Sequence, residues 1–195
     1  MNIEDFKNDV SSLDPVEVVR KDIIFGRPHA VDVDKYYLLR RDVSKEYKIH
    51  PSEVLLVGSG MLGFSIVPHK RYRAFCDESD LDIVILAPSL FDCMWNAVNS
   101  YLRQGGIWPR EYRDDFSKYL LRGWIRPDKF PPEATFPLKH KWFEFFATLS
   151  RSGDYGPYKI AAGIYRSWSF LEDYQTVCIE RCKQELEVSS ENDSN

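Results

Sequence analysis

The sequence predicts an α/β (α+β) protein with a small mixed β-sheet, helices in its N-terminal part and a C-terminal helix. Two short apolar runs, VLLV (54–57) and LDIVIL (81–86), have the length and composition of buried strands. Turn-forming residues follow each run, since VLLV leads into Gly58 and LDIVIL into Pro88 after one alanine. Amphipathic segments lie on both sides of the two runs, which indicates a sheet with helices packed on it.

The N-terminal part of the chain reads as helical. We expect short helices over 3–13 and 15–25, because Asp14 can cap the second one and Pro15 stands at its first position. A longer helix over 34–48 follows from its imperfect apolar stripe.

The remaining residues read as the core and the last helix. The first strand leads into one or two helical turns, and a polar loop connects these turns to the second strand. Two helices, a third strand, a glycine-containing turn and a long final helix are expected after it. The predicted ranges are 61–66 for the turns, 67–79 for the loop, 89–104 and 110–122 for the helices, 141–149 for the third strand, 153–157 for the turn before YKIAAGIY (158–165), and 167–187 for the final helix.

Charge is distributed unevenly along the 195 residues. Residues 185–195 contain four acids and no Lys or Arg, so they account for the whole formal net charge of -4 and the rest of the chain is balanced. Such a body lacks the basic excess of a dedicated nucleic-acid-binding protein. We expect a single domain over 1–187, made of a helical part (1–50) and a core with its C-terminal helix (51–187), followed by a solvated acidic tail at 188–195.

Membrane insertion and a disulfide framework are not expected. No apolar run approaches the roughly 20 residues that span a bilayer, and MNIEDFKNDV lacks the basic start and apolar stretch of a signal peptide. Four cysteines without a CxxC pair, in a chain of this length, do not form a disulfide scaffold. The expected location is therefore the reducing cytoplasm, away from membranes.

The residues that indicate chemistry lie in the stretch from the first strand to the second. Asp80 and Asp82 are two residues apart, so on a strand their carboxylates project from the same face about 7 Å apart. Carboxylate oxygens are the hard ligands that Mg²⁺ requires. Upstream, Gly58 and Gly60 permit a sharp turn that brings backbone N–H groups close to an anion, and Ser59 adds a hydroxyl donor.

At Gly58-Ser59 and Ser79-Asp80-Leu81-Asp82 the sequence resembles the nucleotidyltransferase superfamily, the polymerase-beta-like fold. The resemblance covers about a third of the chain and is closest to the small bacterial members. It implies a sheet of nucleotidyltransferase type that binds a nucleoside triphosphate with Mg²⁺ or Mn²⁺ at Asp80 and Asp82. It also implies nucleotide contacts from Gly58, Ser59, Gly60 and Lys159.

The reaction implied by this resemblance is transfer of a nucleoside monophosphate from the triphosphate to an acceptor hydroxyl, with release of pyrophosphate. The acceptor remains open among an RNA end, a protein and a small molecule. The basic loop 69–73 could steer polyphosphate or RNA to the aspartates, although a solvated loop explains it equally well.

The family pattern includes a third carboxylate on a later strand, and its position is open here. Glu144 in KWFEFF is the leading candidate for a catalytic metal ligand, with Asp115 and Glu172 as the others. On a strand over 141–149 Glu144 would either complete the metal site or lie at the solvent edge, because an unpaired buried charge is costly.

Two further classes of function compete with catalysis. A catalytically incomplete nucleotidyltransferase-fold module would bind nucleotide, nucleic acid or a protein partner without transfer. The resemblance suggests a bacterial toxin–antitoxin or anti-phage system for such a module. A purely structural protein would bind neither nucleotide nor Mg²⁺.

Overall fold

The computed structural model describes the backbone of residues 1–192 and the side chains of residues 1–189. It has the α+β class that the sequence predicts, with a four-stranded mixed sheet covered by helices on both faces. The strands are β1 (Val54–Val57), β2 (Leu81–Leu86), β3 (Trp124–Ile125) and β4 (Ile160–Tyr165). The helices are α1 (Ile3–Ser12), α2 (Pro15–Val18), α3 (Val33–Tyr47), α4 (Gly58–Leu62), α5 (Pro88–Arg103), α6 (Arg110–Leu121), α7 (Pro137–Ser152) and α8 (Trp168–Asn192).

The strand order across the sheet is β1-β2-β4-β3. The central strand β2 pairs antiparallel with β1 and parallel with β4, while β3 pairs antiparallel with β4 at the far edge. A parallel neighbour requires a crossover, and α5, α6 and α7 lie in the connection from β2 to β4.

Side chains alternate across the sheet and divide the core into two layers. On one face Leu81, Ile83 and Ile85 of β2 belong to the core cluster that includes buried residues of α3, α5, α6 and α7. On the opposite face Val84 and Leu86 belong to the cluster that includes buried residues of α1, α2 and α8. Asp82 alternates with the first set, so it projects from the second face, which we call the aspartate face.

The N-terminal segment differs from the predicted pair of helices in one detail. After α2 the chain continues as a single π-helical stretch, Val19–Ile24, instead of a regular α-helix to residue 25. Asp14 accepts a hydrogen bond from the Val16 amide and caps α2, as its sequence position predicts.

The predicted strand over 141–149 is wrong. These residues belong to α7, in which Trp142 and Phe146 are buried at a spacing of four residues on one side of the helix. Pro137 occupies the first turn, and Gly153 ends the helix in the left-handed conformation. The third predicted strand is thereby replaced by β4, and the two-residue β3 was not predicted.

The C-terminal helix is longer than predicted. It runs to Asn192 instead of residue 187, so the first residues of the expected acidic tail are helical, and residues 193–195 lie outside the described part. Glu185 forms an ion pair with Arg71 of the loop before β2, which joins one acid of this region to the folded body.

Among the described residues, none of the helices combines the length and apolar character needed to cross a bilayer.

Candidate nucleotide and metal site

The two aspartates lie at the start of the central strand. Asp80 immediately precedes β2, and Asp82 is its second residue, opposite Val57 of β1 and Ala161 of β4. In β2 the other five side chains are buried, and Asp82 is exposed. The alternation that the sequence predicted therefore places both carboxylates on the aspartate face.

The glycine-serine turn lies directly beside Asp82. Gly58 has a φ of +63°, and a Cβ atom at this position would be 3.2 Å from Asp82 Oδ2. Only glycine combines this backbone conformation with so close an approach to a carboxylate. The turn is the first turn of α4, so this helix begins at Gly58 and not at residue 61.

The third residue of the turn, Gly60, has a different role. It is buried, and a Cβ atom there would lie 3.2 Å from a methyl group of Leu81 and 3.3 Å from one of Leu56. Its carbonyl accepts hydrogen bonds from the backbone amides of His29 and Ala30. Gly60 thus packs in the core, while Gly58 and Ser59 line a cavity beside the aspartates.

That cavity, the loop cavity, has a volume of about 470 Å³ and is enclosed by the segment 65–74. Gly58, Ser59, Asp80 and Asp82 form one side. Lys70, Arg73 and Glu78 line it as well, with Arg73 Nη2 3.7 Å from Glu78 Oε2.

Two cations of the basic loop 69–73, Lys70 and Arg73, therefore line the same cavity as the aspartates. Arg71 turns away, donating to the Arg181 carbonyl and pairing with Glu185. Tyr72, with a φ of 61°, packs on Phe64. Lys70 and Arg73 of this loop thus line the cavity, while Arg71 attaches the loop to α8.

A second cavity of about 310 Å³, the aromatic cavity, lies on the aspartate face between the sheet and α8. Trp124, Tyr165 and Tyr174 provide aromatic walls. Gly58 and Asp82 line both this cavity and the loop cavity.

A third cavity of about 600 Å³, the α7 cavity, lies beside the N-terminal half of β4. Its charged lining contains Asp80, Asp82, Arg126, Lys159 and Arg151, and its apolar wall comes from α7. Asp82 lines all three cavities. One carboxylate is thus accessible from three directions.

The electrostatics of the pair favour an additional cation. Partial desolvation, together with repulsion from Asp80, raises the pKa of Asp82 to about 6, against the opposing influence of Lys159 and Arg126. Lys159 Nζ lies 3.3 Å from Asp80 Oδ2, with the lysine side chain 72% exposed and the aspartate side chain 42% exposed. This exposed ion pair leaves the charge of Asp82 incompletely balanced, a situation that bound Mg²⁺ would relieve.

Two charged residues at the site, Arg126 and Asp128, were not predicted from the sequence. Arg126 donates to both carboxylate oxygens of Asp128, at 3.1 and 3.2 Å, and to the Tyr119 hydroxyl at 3.0 Å. Both residues line the aromatic and α7 cavities together with Asp82. The sequence pattern around them gives little indication of a site, because they follow a strand of only two residues in a proline-rich stretch.

The candidate third carboxylates do not gather at the aspartates. Glu144 is on α7 with its side chain 64% exposed, 3.7 Å from His140 Nε2, so of its two predicted positions it occupies the solvent edge. Asp115 pairs with Lys129 at 3.0 Å, and Glu172 pairs with Arg20 at 2.8 Å. Within the described part of the chain, no group of three or more His, Cys, Asp or Glu residues is arranged to hold a metal ion.

Comparisons of this chain with protein-family models, with curated proteins and with solved structures found no match.

Proposed function

We propose that this protein is a nucleotidyltransferase that uses Mg²⁺ or Mn²⁺ to transfer a nucleoside monophosphate from a nucleoside triphosphate to an acceptor hydroxyl. The observation that carries the proposal is the placement of Asp80 and Asp82. They project from one face of the sheet, beside the Gly58-Ser59 turn, where three cavities meet. The sequence resemblance at the same residues supports it independently of the cavities.

The donor set fits a magnesium ion. Mg²⁺ is commonly bound by one or two carboxylates, with waters and substrate phosphates completing its coordination. Asp80 and Asp82 supply two carboxylates, and the loop cavity offers space for phosphates beside them. When bound, the ion would neutralise phosphate charge and make the acceptor hydroxyl more acidic.

The loop cavity suits the triphosphate. Lys70 lines it and makes no ion pair within the described residues, so its ammonium group is free to bind phosphate oxygens. Arg73 adds a second cation, in part engaged with Glu78. Ser59 contributes a hydroxyl donor from the opposite wall. These groups would hold the β- and γ-phosphates and thereby fix the α-phosphate beside Asp82.

The α7 cavity suits the acceptor, because it reaches both aspartates from a different side. Lys159 and Arg151 would attract a phosphate-bearing acceptor, and the exposed ring of Phe143 offers a stacking surface. An RNA end, a protein hydroxyl and a small molecule all remain acceptor classes under this proposal. The four cysteines of the chain are all free thiols, which is the state expected in the reducing cytoplasm, and we place the proposed reaction there.

A second function, nucleotide binding without transfer, is favoured by one observation. The strand that neighbours β2 presents Ala161 opposite Asp82, and the preceding residue, Lys159, pairs with Asp80. Lys159 and Ala161 thus occupy the positions beside the two aspartates, where a third carboxylate would complete a two-metal site. A module of this kind would act through a nucleic-acid or protein partner, for instance in a toxin–antitoxin or anti-phage system.

Labelling with α-³²P nucleoside triphosphates separates the two functions. The wild-type protein, Asp80→Asn/Asp82→Asn and the surface control Asp77→Asn are incubated with Mg²⁺, each triphosphate, and RNA or protein acceptors. Transfer is expected with wild type and Asp77→Asn and not with the double variant. Equal labelling by wild type and the double variant would reject the assigned roles.

Calorimetry completes the comparison. Magnesium-dependent triphosphate binding without labelling of any acceptor would favour the binding module. Absence of both nucleotide and Mg²⁺ binding would contradict both functions and leave a structural protein.

A further inference from the structure

The aromatic cavity contains a polar side chain with no partner. Gln175 of α8 lines the cavity and is 7% exposed, and its amide makes no hydrogen bond within the described chain. It lies at an inward position of α8, between the fully buried Leu171 and Ile179. Neither amide atom of Gln175 belongs to the fully buried polar atoms without a partner, so the amide is accessible from the cavity, and a ligand that fills the cavity must pair with the amide or bury it unpaired at a cost.

The cavity exists because β4 carries small side chains on the aspartate face. Ala161 and Gly163 line it, and a Cβ atom at Gly163 would lie 2.5 Å from Trp124 Nε1. Glycine at this position lets the indole lie close over the strand. Trp124 stacks on Tyr165, with ring centroids 5.2 Å apart and an interplanar angle of 12°, and meets Tyr174 edge-on at 5.0 Å.

This arrangement suits a flat, aromatic ligand with hydrogen-bonding edges. Indole and phenol rings offer stacking and edge contacts, and the Gln175 amide supplies one donor and one acceptor direction. The cavity adjoins the loop cavity, since Gly58 and Asp82 line both. A single nucleotide can therefore extend from the phosphate-binding side, past the aspartates, to the aromatic walls.

We propose that the aromatic cavity is the nucleobase subsite and that Gln175 makes it selective for adenine. The inference rests on the proposed binding of a nucleoside triphosphate and extends it to the identity of the base. A glutamine amide pairs in a bidentate manner with the N6 donor and N7 acceptor of adenine. Bases that present a different edge leave the buried amide unpaired, which is how a hydrogen-bonding pocket rejects close analogues.

The test is calorimetry on the full chain with Mg²⁺. The ligands are inorganic triphosphate and the α,β-methylene analogues of ATP, GTP, CTP and UTP, which cannot undergo nucleotidyl transfer. We expect the ATP analogue to bind more tightly than the other three by about 5- to 150-fold, the range for a bidentate amide–base pair. Because this ranking uses the wild-type chain, it does not depend on how any variant folds.

Two variants assign the preference to the amide. Gln175→Met keeps the length of the side chain and removes its hydrogen bonding, so it should bind all four analogues alike and leave triphosphate binding unchanged. Gln184→Met changes an exposed glutamine of the same helix and should retain the preference for adenine. Thermal unfolding confirms that both variants are folded.

The outcomes separate this inference from the proposed function. Equal binding of the four analogues, or tighter binding of another base, would overturn the adenine subsite while triphosphate binding still supports a nucleotide site. A preference that survives in Gln175→Met would overturn the role of Gln175. If neither triphosphate nor any analogue binds, the proposed function fails, and the base subsite fails with it.

Discussion

Asp82 of β2 lies directly opposite Ala161 of the parallel strand β4. Neighbouring strands are about 4.8 Å apart, so a side chain longer than alanine at position 161 would reach the aspartate carboxylates. The adjacent Lys159 instead sends an ammonium group to Asp80. The proposed metal site therefore has Ala161 of β4 and Lys159, just before β4, beside its aspartates, and neither of these residues is acidic.

Ala161→Asp should strengthen Mg²⁺ or Mn²⁺ binding, because it adds a third carboxylate at the level of Asp82. We expect about a tenfold gain in affinity, which corresponds to ~1.4 kcal/mol. Without metal the variant should unfold at a lower temperature than wild type, since three carboxylates repel one another, and Mg²⁺ should restore it. Calorimetry and metal-dependent melting measure both effects, with the exposed Thr148→Asp as control. Unchanged metal affinity would contradict the proposed role of Asp80 and Asp82 as metal ligands.

Lys159→Met should also strengthen divalent-cation binding, since the ammonium group beside Asp80 then no longer competes with the metal. The ion pair is exposed, so we expect an effect of only about two- to fivefold. Lys118→Met is a matched control, because Lys118 is 73% exposed and lies 3.4 Å from Asp115 in an ion pair that does not include Asp80 or Asp82. Weaker metal binding in Lys159→Met would indicate that the lysine supports the site in another way.

Glu144→Gln should retain nucleotidyl transfer within about twofold of wild type. The side chain is 64% exposed on α7, and its contact with His140 is an exposed, solvent-screened helix pair. Initial transfer rates and urea unfolding measure the activity and the contribution of this pair to stability. Loss of transfer with intact triphosphate binding would restore Glu144 as a functional carboxylate.

Asp22→Asn should stabilise the protein at neutral pH. Asp22 is 6% exposed in the π-helical stretch, its Oδ2 atom has no partner, and burial together with repulsion from Asp9 raises its pKa to about 6. Lys21 and the N-terminal amino group act in the opposite direction. Because its pKa is raised in the folded state, the protonated carboxyl is preferred there. Its contribution to stability is therefore fully present below the ordinary pKa of 3.8 and is lost as the pH rises through 6.

The gain for Asp22→Asn should thus be near zero at pH 4 and grow to roughly 2–3 kcal/mol at pH 7. Urea unfolding at intervals between these pH values measures it. The exposed control Asp173→Asn should show little change at any pH. A difference that does not vary with pH would show that the charge of Asp22 is not responsible.

The sequence predicted the part of the site that depends on local patterns. The bounds of β1 and β2 are confirmed, because continuous apolar runs ending at turn-forming residues leave little choice of register. The strand period of two then places Asp80 and Asp82 on one face without further information. The metal and nucleotide roles of these residues stay predictions.

The prediction failed where helix and strand patterns overlap. KWFEFF is rich in aromatic residues, which favour strands, but Trp142 and Phe146 are spaced for a helix, and Pro137 and Gly153 mark its ends. Conversely, β4 was not predicted as a strand, because its two alanines and its glycine have low β-propensity. Tertiary pairing with β2, not intrinsic propensity, determines its conformation.

Gln175 and Arg126 could not be assigned from sequence alone for another reason. Each joins the site only because the fold brings it to a cavity that Asp82 also lines, and neither belongs to a recognisable motif. Gln175 did leave one trace, since a glutamine at an inward position of α8 is unusual. The sequence alone does not distinguish an internal hydrogen bond from a ligand contact at such a glutamine, and within the described residues Gln175 makes no hydrogen bond.

The parallel pairing of β2 with β4 has a consequence for synthesis of the protein. At about 5–20 residues per second, the ribosome makes the Gly58 turn and both aspartates seconds before β4 and α8. Until these arrive, Val84 and Leu86 on the aspartate face lack the helix that covers them, and the aromatic cavity lacks the walls that β4 and α8 provide. We expect the nascent chain to engage chaperones during this interval and to complete the proposed nucleotide site only after α8 has left the exit tunnel.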